Sequence, residues 1–292
     1  YSIESEELHD PFGGLEDLER RVLRAVGDPA ARFGEDGLRV LRGARFCATL
    51  GMELEETTRA AMRPSLESFR KVSQERVRDE WWKALASTAP SRCFRVQLEE
   101  GLLEITAPEL TGAPAAFDET LAALDASGRD PLRRFALLLV GILPNVTGER
   151  AKQVDAIARR LKLSNAERER ALHWAKHVAL PDLRDAVAVR RWLGSVRRDS
   201  VEDVLLFQRE LPPSLRVPDD VARDDEALAR SELASGHALE AKELALSGKD
   251  LLGEKLVPPG PELGRTLARL FEHVLQFPAD NTRERLLELA RS

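Results

Sequence analysis

The stretch Asp28 to Gly51, DPAARFGEDGLRVLRGARFCATLG, carries its charges at regular spacing. On a helix starting near Gly34, Asp36 and Arg39 lie three residues apart and share a face. Arg42 and Arg45 continue the spacing, so four polar groups wind along one side. Leu38, Leu41, Ala44 and Ala48 take the other side and can pack inward. A carboxylate beside a guanidinium can read a nucleobase edge. Cytosine and adenine present an amino donor next to a ring-nitrogen acceptor. Guanine and uracil present a carbonyl next to a ring N–H. Asp accepts from the amino group while Arg donates to the ring nitrogen. Such a pair admits C and A and rejects G and U, because reversed partners leave buried polar groups unpaired. The forks of Arg42 and Arg45 suit triphosphate oxygens. The same spacing also fits a surface ion pair worth roughly a few tenths of a kcal/mol.

Other chemistry-bearing groups read more plainly. Asp219-Asp220 and Asp224-Asp225 fall in a loop or helix start, where solvation or capping explains them. His9-Asp10 invites a metal phosphohydrolase reading, yet His9 precedes a Pro/Gly turn and the chain has five histidines in all. His173 and His177 stand i,i+4 and need a third ligand to hold a metal; otherwise they are ordinary members of a basic region. Trp81 and Trp82 could stack RNA bases. Adjacent helix residues point different ways, so at least one belongs in the core. No nucleophile arrangement, catalytic residue or metal site is expected in this chain.

The elements that position these groups are helical. Residues 1–14 alternate weakly and end in a Pro/Gly turn, which reads as a short strand leaving an earlier domain. Almost everything from Leu15 onward has helical period. The helix through Leu38 and Ala48 ends near Gly51. A second runs from about Thr57 to Phe69. A third starts near Ser73 as N-cap and is broken by Pro90. A boundary falls near 110. The next apolar helix spans Leu132 to Leu143 and ends at Pro144. Ser164 with Glu167 forms a capping box. Ser247 with Asp250 and Asn281 with Glu284 mark later helix starts. Pro212, Pro213 and Pro218 make a connection, and residues 258–261 a stiff loop. The fold class is all-α after a short leading strand.

Three segments, DPFGGLEDL (10–18), RAVGDPAARFGEDGLRVLRGARFCATLG (24–51) and SQERVRDEWWKAL (73–85), resemble consecutive motifs of class II tRNA nucleotidyltransferases (CCA-adding enzymes) and bacterial poly(A) polymerases. GLLEITAPEL (101–110) resembles the segment that follows, and residues 248–290 resemble the tail of the longer CCA-adding enzymes. The resemblance implies four parts: a remnant of a catalytic head over 1–32, a neck over 33–110, a helical body over 111–211 and a tRNA-binding tail over 212–292. It makes Glu35-Asp36-Gly37-Leu38-Arg39 the EDxxR motif, with Asp36 and Arg39 as the template for CTP or ATP. Arg42 and Arg45 match downstream nucleotide-contacting arginines. Gly37 stands where Pro is frequent, so a looser first turn is expected. Glu35, Glu75, Arg76, Glu80 and Lys83 support the template helix. The family's metal-holding carboxylates lie in its head and do not occur here. Mg2+ is therefore expected on the head, and this chain alone is expected to be inactive. The implied partners are tRNA, CTP and ATP. CCA, CC, A or poly(A) addition stays open, as do a stand-alone tRNA-binding module, a helical scaffold and the oligomeric state.

Charge agrees with a local RNA contact. The chain has 292 residues, a formal net charge of −6 and a pI of about 5.6. Residues 149–200 hold 13 Lys/Arg against 7 Asp/Glu, whereas 202–262 hold 7 against 14. The basic stretch is expected to meet phosphates through Arg159, Arg160, Lys162, Arg168, Lys176, Arg190, Arg191, Arg197 and Arg198. Solvated helix faces would show the same counts. Cys47 and Cys93 fit a reducing cytoplasm, and no apolar run is long enough for a membrane span.

Overall fold

The structure, a computed structural model, describes residues 9–146, 148–178 and 185–291, except the side chains of 219 and 220. The chain forms two units, Tyr1–Val178 with Phe207–Arg216, and Ala179–Leu206 with Val217–Ser292. The expected boundaries at 110 and 211 do not coincide with this division.

In the first unit Asp10 accepts from the amides of Gly14 and Leu15, each at 2.8 Å, and so starts helix α1 (Gly14–Glu19). Residues 11 and 12 form a turn where part of the 1–14 strand was expected; residues 1–8 lie outside the described ones. The strands among the described residues are instead β1 (Val22–Leu23) and β2 (Glu53–Leu54), paired in parallel with Val22 opposite Glu53.

Asp28 accepts from the Ala30 amide at 3.1 Å and, with Pro29 at the first helical position, opens α2 (Pro29–Glu35). Next comes α3 (Leu38–Leu50), closed by Gly51 at φ 67°. Its Val40, Leu41, Ala44, Cys47 and Ala48 are buried, as the apolar spacing required. The helix expected over 57–69 is broken into α4 (Glu56–Ala60), a 3-10 turn at Arg63–Ser65 and α5 (Leu66–Phe69). Pro64 lacks the N–H that a continuous helix would use.

Ser73 stands at the N-cap of α6 (Gln74–Leu85) without a side-chain capping bond; α6 ends at Leu85, ahead of Pro90, which instead opens α7 (Pro90–Glu99). Trp81 is fully buried: its Nε1 donates to Gln97 Oε1 at 2.9 Å and its ring meets Phe94 edge-on at 5.0 Å. Past α8 (Leu103–Thr106), helices α9 (Pro114–Ala126) and α10 (Pro131–Ile142) pack back onto α7 and α6. Phe135 lies 5.4 Å from Trp82, and Arg95 pairs with Asp118 at 2.9 Å. The seam near 110 is therefore closed by packing.

Arg134 is buried at 1% exposure and has no carboxylate in its hydrogen bonds among the described residues. It donates to the carbonyls of Leu85, Ser87 and Ser127 at 2.6–2.8 Å, satisfying acceptors that helices leave open at their C-terminal ends. In α11 (Glu149–Arg160) and α12 (Asn165–Lys176) the Ser164–Glu167 capping box is present. Trp174 stacks on Phe207 at 5.6 Å.

The second unit holds α13 (Ala186–Val196) and the first part of α14 (Val201–Glu210), whose last residues belong to the first unit. It continues with α15 (Asp219–Ala234), α16 (Gly248–Gly253), α17 (Pro261–Gln276) and α18 (Arg283–Arg291). Leu246, Leu251, Leu270, Val274 and Leu286 form its core. Asp224 and Asp225 lie inside α15, not in a loop, and Asp225 is 9% exposed. The Ser247–Asp250 capping box is present. Asn281 does not cap α18; its side chain accepts from the Ala245 amide at 2.8 Å and donates to the Glu243 carbonyl at 3.1 Å.

Candidate functional site

The helix expected from Gly34 is interrupted. Asp36 is extended (φ −148°, ψ 106°), so α2 ends there and α3 starts anew after Gly37. Gly37 is buried against α5: a Cβ on it would lie 2.2 Å from the Ser68 carbonyl oxygen. Close approach, not looseness, explains the glycine. Asp36 and Arg39 thus share one hydrogen-bonded turn, with the Arg39 amide 2.9 Å from the Asp36 carbonyl, rather than one helix face.

Both carboxylate oxygens of Asp36 are held. Oδ1 accepts from the Leu38 amide at 3.0 Å and Oδ2 from Arg76 Nη2 on α6 at 2.7 Å. The Arg76 bond, then the Leu38 amide, keeps this carboxyl below its ordinary range. Each oxygen keeps a second lone pair, and the side chain is 33% exposed. Arg39 uses Nη1 on Glu35 and, at 3.1 Å, on the Arg32 carbonyl. Its Nη2 and Nε have no partner among the described residues. Glu35 also accepts from Arg32 at 3.0 Å. The bonds from Arg39 and Arg32 hold its carboxyl low.

A cleft of about 330 Å³ opens between β1, α2 and α3. Arg39, Arg42 and Phe46 line it from α3, Arg32 and Phe33 from α2, and Arg24 from just past β1. Asp36 and Arg45 lie outside its wall. Arg24 is held by Asp17 at 2.8 Å. Arg42 is exposed, lies 5.7 Å from the Phe46 ring centroid and has no carboxylate partner among the described residues. Thr58, also in the wall, accepts from the Ala25 amide at 3.0 Å and donates to Glu55 at 2.8 Å. Glu55 also receives the Thr58 amide, which brings its carboxyl down to about 2.

Arg45 turns inward. Its Nε lies 2.5 Å from Glu80, a carboxylate 5% exposed, and Lys83 reaches the other Glu80 oxygen at 2.8 Å. The Arg45 guanidinium sits 3.8 Å over the Phe46 ring. Arg76 and Glu80 therefore touch the turn and α3 from α6. Glu75 is exposed in the first turn of α6 and forms no ion pair among the described residues. Arg24, Arg32, Phe46 and Thr58 were not singled out from sequence. The aromatic at Phe46, one place after an arginine, was the only signal for them.

Of the nine basic residues between 159 and 198, five lie in the first unit and four in the second. Arg160 forks onto Glu109 at 2.5 and 2.9 Å, and Arg168 onto Asp155 at 2.8 Å. Arg190, 8% exposed, is bound to Glu232 at 2.7 Å and to the Leu275 carbonyl at 2.5 Å. Arg198 is held by Glu243 and the His237 carbonyl, Arg191 by Glu272. Arg160, Arg168, Arg190 and Arg198 thus spend their hydrogen bonds inside the fold, whereas the Arg191–Glu272 pair is exposed. Arg159 and Arg197 are exposed with single Asp partners, and Lys162 and Lys176 are exposed without ion pairs among the described residues. Lys162 adopts φ 57° in the α11–α12 turn, where Arg78 donates to its carbonyl at 3.1 Å.

No group of three or more His, Cys, Asp or Glu among the described residues could hold a metal ion. His9 is exposed beside the capping Asp10, and His177 Nδ1 faces the His173 carbonyl at 2.8 Å. No helix among the described residues is long and apolar enough to cross a membrane.

Two family models match the chain: "Probable RNA and SrmB- binding site of polymerase A" over residues 51–113, and tRNA nucleotidyltransferase domain 2 over 142–290. The CCA-adding enzyme of Streptococcus gordonii is 34% identical over 272 residues, covering 91% of this chain and 62% of that protein. The CCA-adding enzyme of Bacillus licheniformis is 30% identical, covering 96% and 66%. The chain thus spans less than two thirds of the length of these relatives. The crystal structure of the Bacillus stearothermophilus CCA-adding enzyme in complex with CTP aligns at a TM-score of 0.70 and 26% identity, over 96% of this chain and 68% of that one. The fold is also that of the Thermotoga maritima CCA-adding enzyme complexed with tRNA, at a TM-score of 0.55 and 22% identity over 96% of this chain and 66% of that one.

Proposed function

This chain belongs to the tRNA nucleotidyltransferase family of CCA-adding enzymes and bacterial poly(A) polymerases, and from that premise we propose that it selects the nucleotide and grips the RNA during 3′-end addition to tRNA in the cytoplasm. The observation that carries the reading is the arginine-rimmed cleft on α3, whose lining includes Arg39 of the Asp36–Arg39 turn. Arg76 and the Leu38 amide hold the Asp36 carboxylate in one orientation. That carboxylate accepts from the exocyclic amino group of cytosine or adenine, and Arg39 Nη2 or Nε donates to the adjacent ring nitrogen. A carbonyl facing Asp36 leaves two acceptors opposed, so uracil and guanine are disfavoured. Arg42, free of a carboxylate among the described residues, receives triphosphate oxygens.

Phosphoryl transfer of this class uses divalent cations held by carboxylates. The described residues offer no such cluster, so no chemical step is assigned to them. Their part is binding and selection. RNA backbone contact falls to the exposed Arg159, Lys162, Lys176, Arg191 and Arg197. The match of residues 51–113 to the polymerase A model also favours a poly(A)-adding relative as the second reading. A gel-shift titration of the chain with a tRNA transcript at increasing salt tests the RNA part. Binding that weakens steeply with salt is expected, and absence of binding at low salt rejects it.

A further inference from the structure

Phe46 has a placement that selection by hydrogen bonds does not use. It lies on α3 between the turn at Asp36 and the helix end, and its ring lines the cleft while remaining half-buried. The Arg45 guanidinium covers the ring 3.8 Å from its centroid. Arg45 is itself fixed: Glu80, 5% exposed, lies 2.5 Å from its Nε and is shared with Lys83. The ring is thus braced by a planar cation anchored to α6. Arg42, the cleft cation free of a carboxylate among the described residues, stands 5.7 Å from the ring centroid. A flat apolar face beside a free guanidinium complements a flat heterocycle attached to an anionic tail.

We propose that Phe46 is the stacking face for the nucleobase of the bound nucleoside triphosphate, and that Arg45 is its positioning residue rather than a phosphate contact. This rests on the nucleotide reading above. Stacking is indifferent to which edge the base presents. It therefore supplies affinity common to all bases, and Asp36 and Arg39 supply the choice among them. Arg45 spends its charge on Glu80, so phosphate affinity should depend on Arg42 and not on Arg45.

The test separates base-dependent from phosphate-dependent binding. CTP and inorganic tripolyphosphate are titrated into the full chain, with binding read by phosphorus NMR. Phe46→Leu keeps apolar volume and removes the flat face. It should weaken CTP at least about fivefold, the low end of base–aromatic stacking, and leave tripolyphosphate unchanged. Phe46→Tyr should restore CTP binding. Arg45→Lys keeps the charge toward Glu80 but loses the plane, and should reproduce the Phe46→Leu split. Arg42→Ala should weaken both probes. Unchanged CTP affinity in Phe46→Leu, or equal loss of both probes there, overturns the proposal while leaving the nucleotide reading intact. Failure of the unsubstituted chain to bind either probe overturns both.

Discussion

Gly37 is where a single methyl group tests the geometry beneath the site. A Cβ there would stand 2.2 Å from the Ser68 carbonyl oxygen and 2.5 Å from the Phe69 amide nitrogen. Ordinary Cβ contacts begin near 3.4 Å, so the shortfall against the carbonyl is 1.2 Å. Neither neighbour is the end of a flexible side chain. Both are backbone, and Phe69 is 1% exposed. Gly37→Ala must therefore shift α5 or the start of α3, with Asp36 attached. Overpacking of this kind costs about 1–3 kcal/mol. With a urea slope of about 2 kcal/mol/M, the midpoint for the first unit should fall by roughly 0.5–1.5 M. Trp81 and Trp82 in this unit make fluorescence a suitable probe. Gly34→Ala is the control: nothing lies within 4 Å of its Cβ position, and it sits in α2. That variant should be neutral or slightly more stable. Equal urea midpoints for Gly37→Ala and Gly34→Ala would refute the close-packing argument.

Arg134→Met should cost about 2–3 kcal/mol or more in urea unfolding, since it leaves two buried carbonyls, Leu85 and Ser127, and the part-buried Ser87 carbonyl without this donor; a loss below about 1 kcal/mol would contradict the capping role. Glu55 has its folded carboxyl pulled from 4.5 to about 2, so its stabilisation is complete above pH 4.5 and disappears as pH falls toward 2. Thermal unfolding of Glu55→Gln should accordingly show a deficit against the unsubstituted chain at pH 6 that vanishes near pH 2, whereas a deficit independent of pH would point to lost packing. Reversing the charges of Lys162 and Lys176 should weaken tRNA binding and flatten its salt dependence by roughly one to two counterions; an unchanged salt slope would exclude these lysines from the RNA contact.

Much of the fold was legible because its helices follow apolar spacing and explicit punctuation. Leu41, Ala44 and Ala48 face inward, Gly51 closes α3, and the boxes at Ser164 and Ser247 form as their spacing requires. The failures share a cause: tertiary partners decided what local pattern could not. Spacing suggested one helix through Asp36, but backbone contact at Gly37 and the Arg76 bond favour a break there. Spacing equally grouped Arg42 with Arg45, yet Glu80, far along the chain, takes Arg45 alone. Arg160, Arg168 and Arg190 counted as free charge until Glu109, Asp155 and Glu232 were seen opposite them. Phe46 was passed over because an aromatic inside an apolar helix reads as core unless its neighbours are known.

Equilibrium dialysis of the chain against CTP, ATP, UTP and GTP, repeated with Asp36→Asn, tests base selection by the turn most directly. Asn can donate where Asp only accepts, so its amide can meet a carbonyl edge. The unsubstituted chain should hold CTP and ATP roughly tenfold more tightly than UTP and GTP, and Asp36→Asn should erase most of that ratio, each unpaired polar group being worth about 1–3 kcal/mol. Equal affinity for all four nucleotides, or a ratio that survives Asp36→Asn, would contradict the assignment of Asp36 and Arg39 as the groups that choose the base.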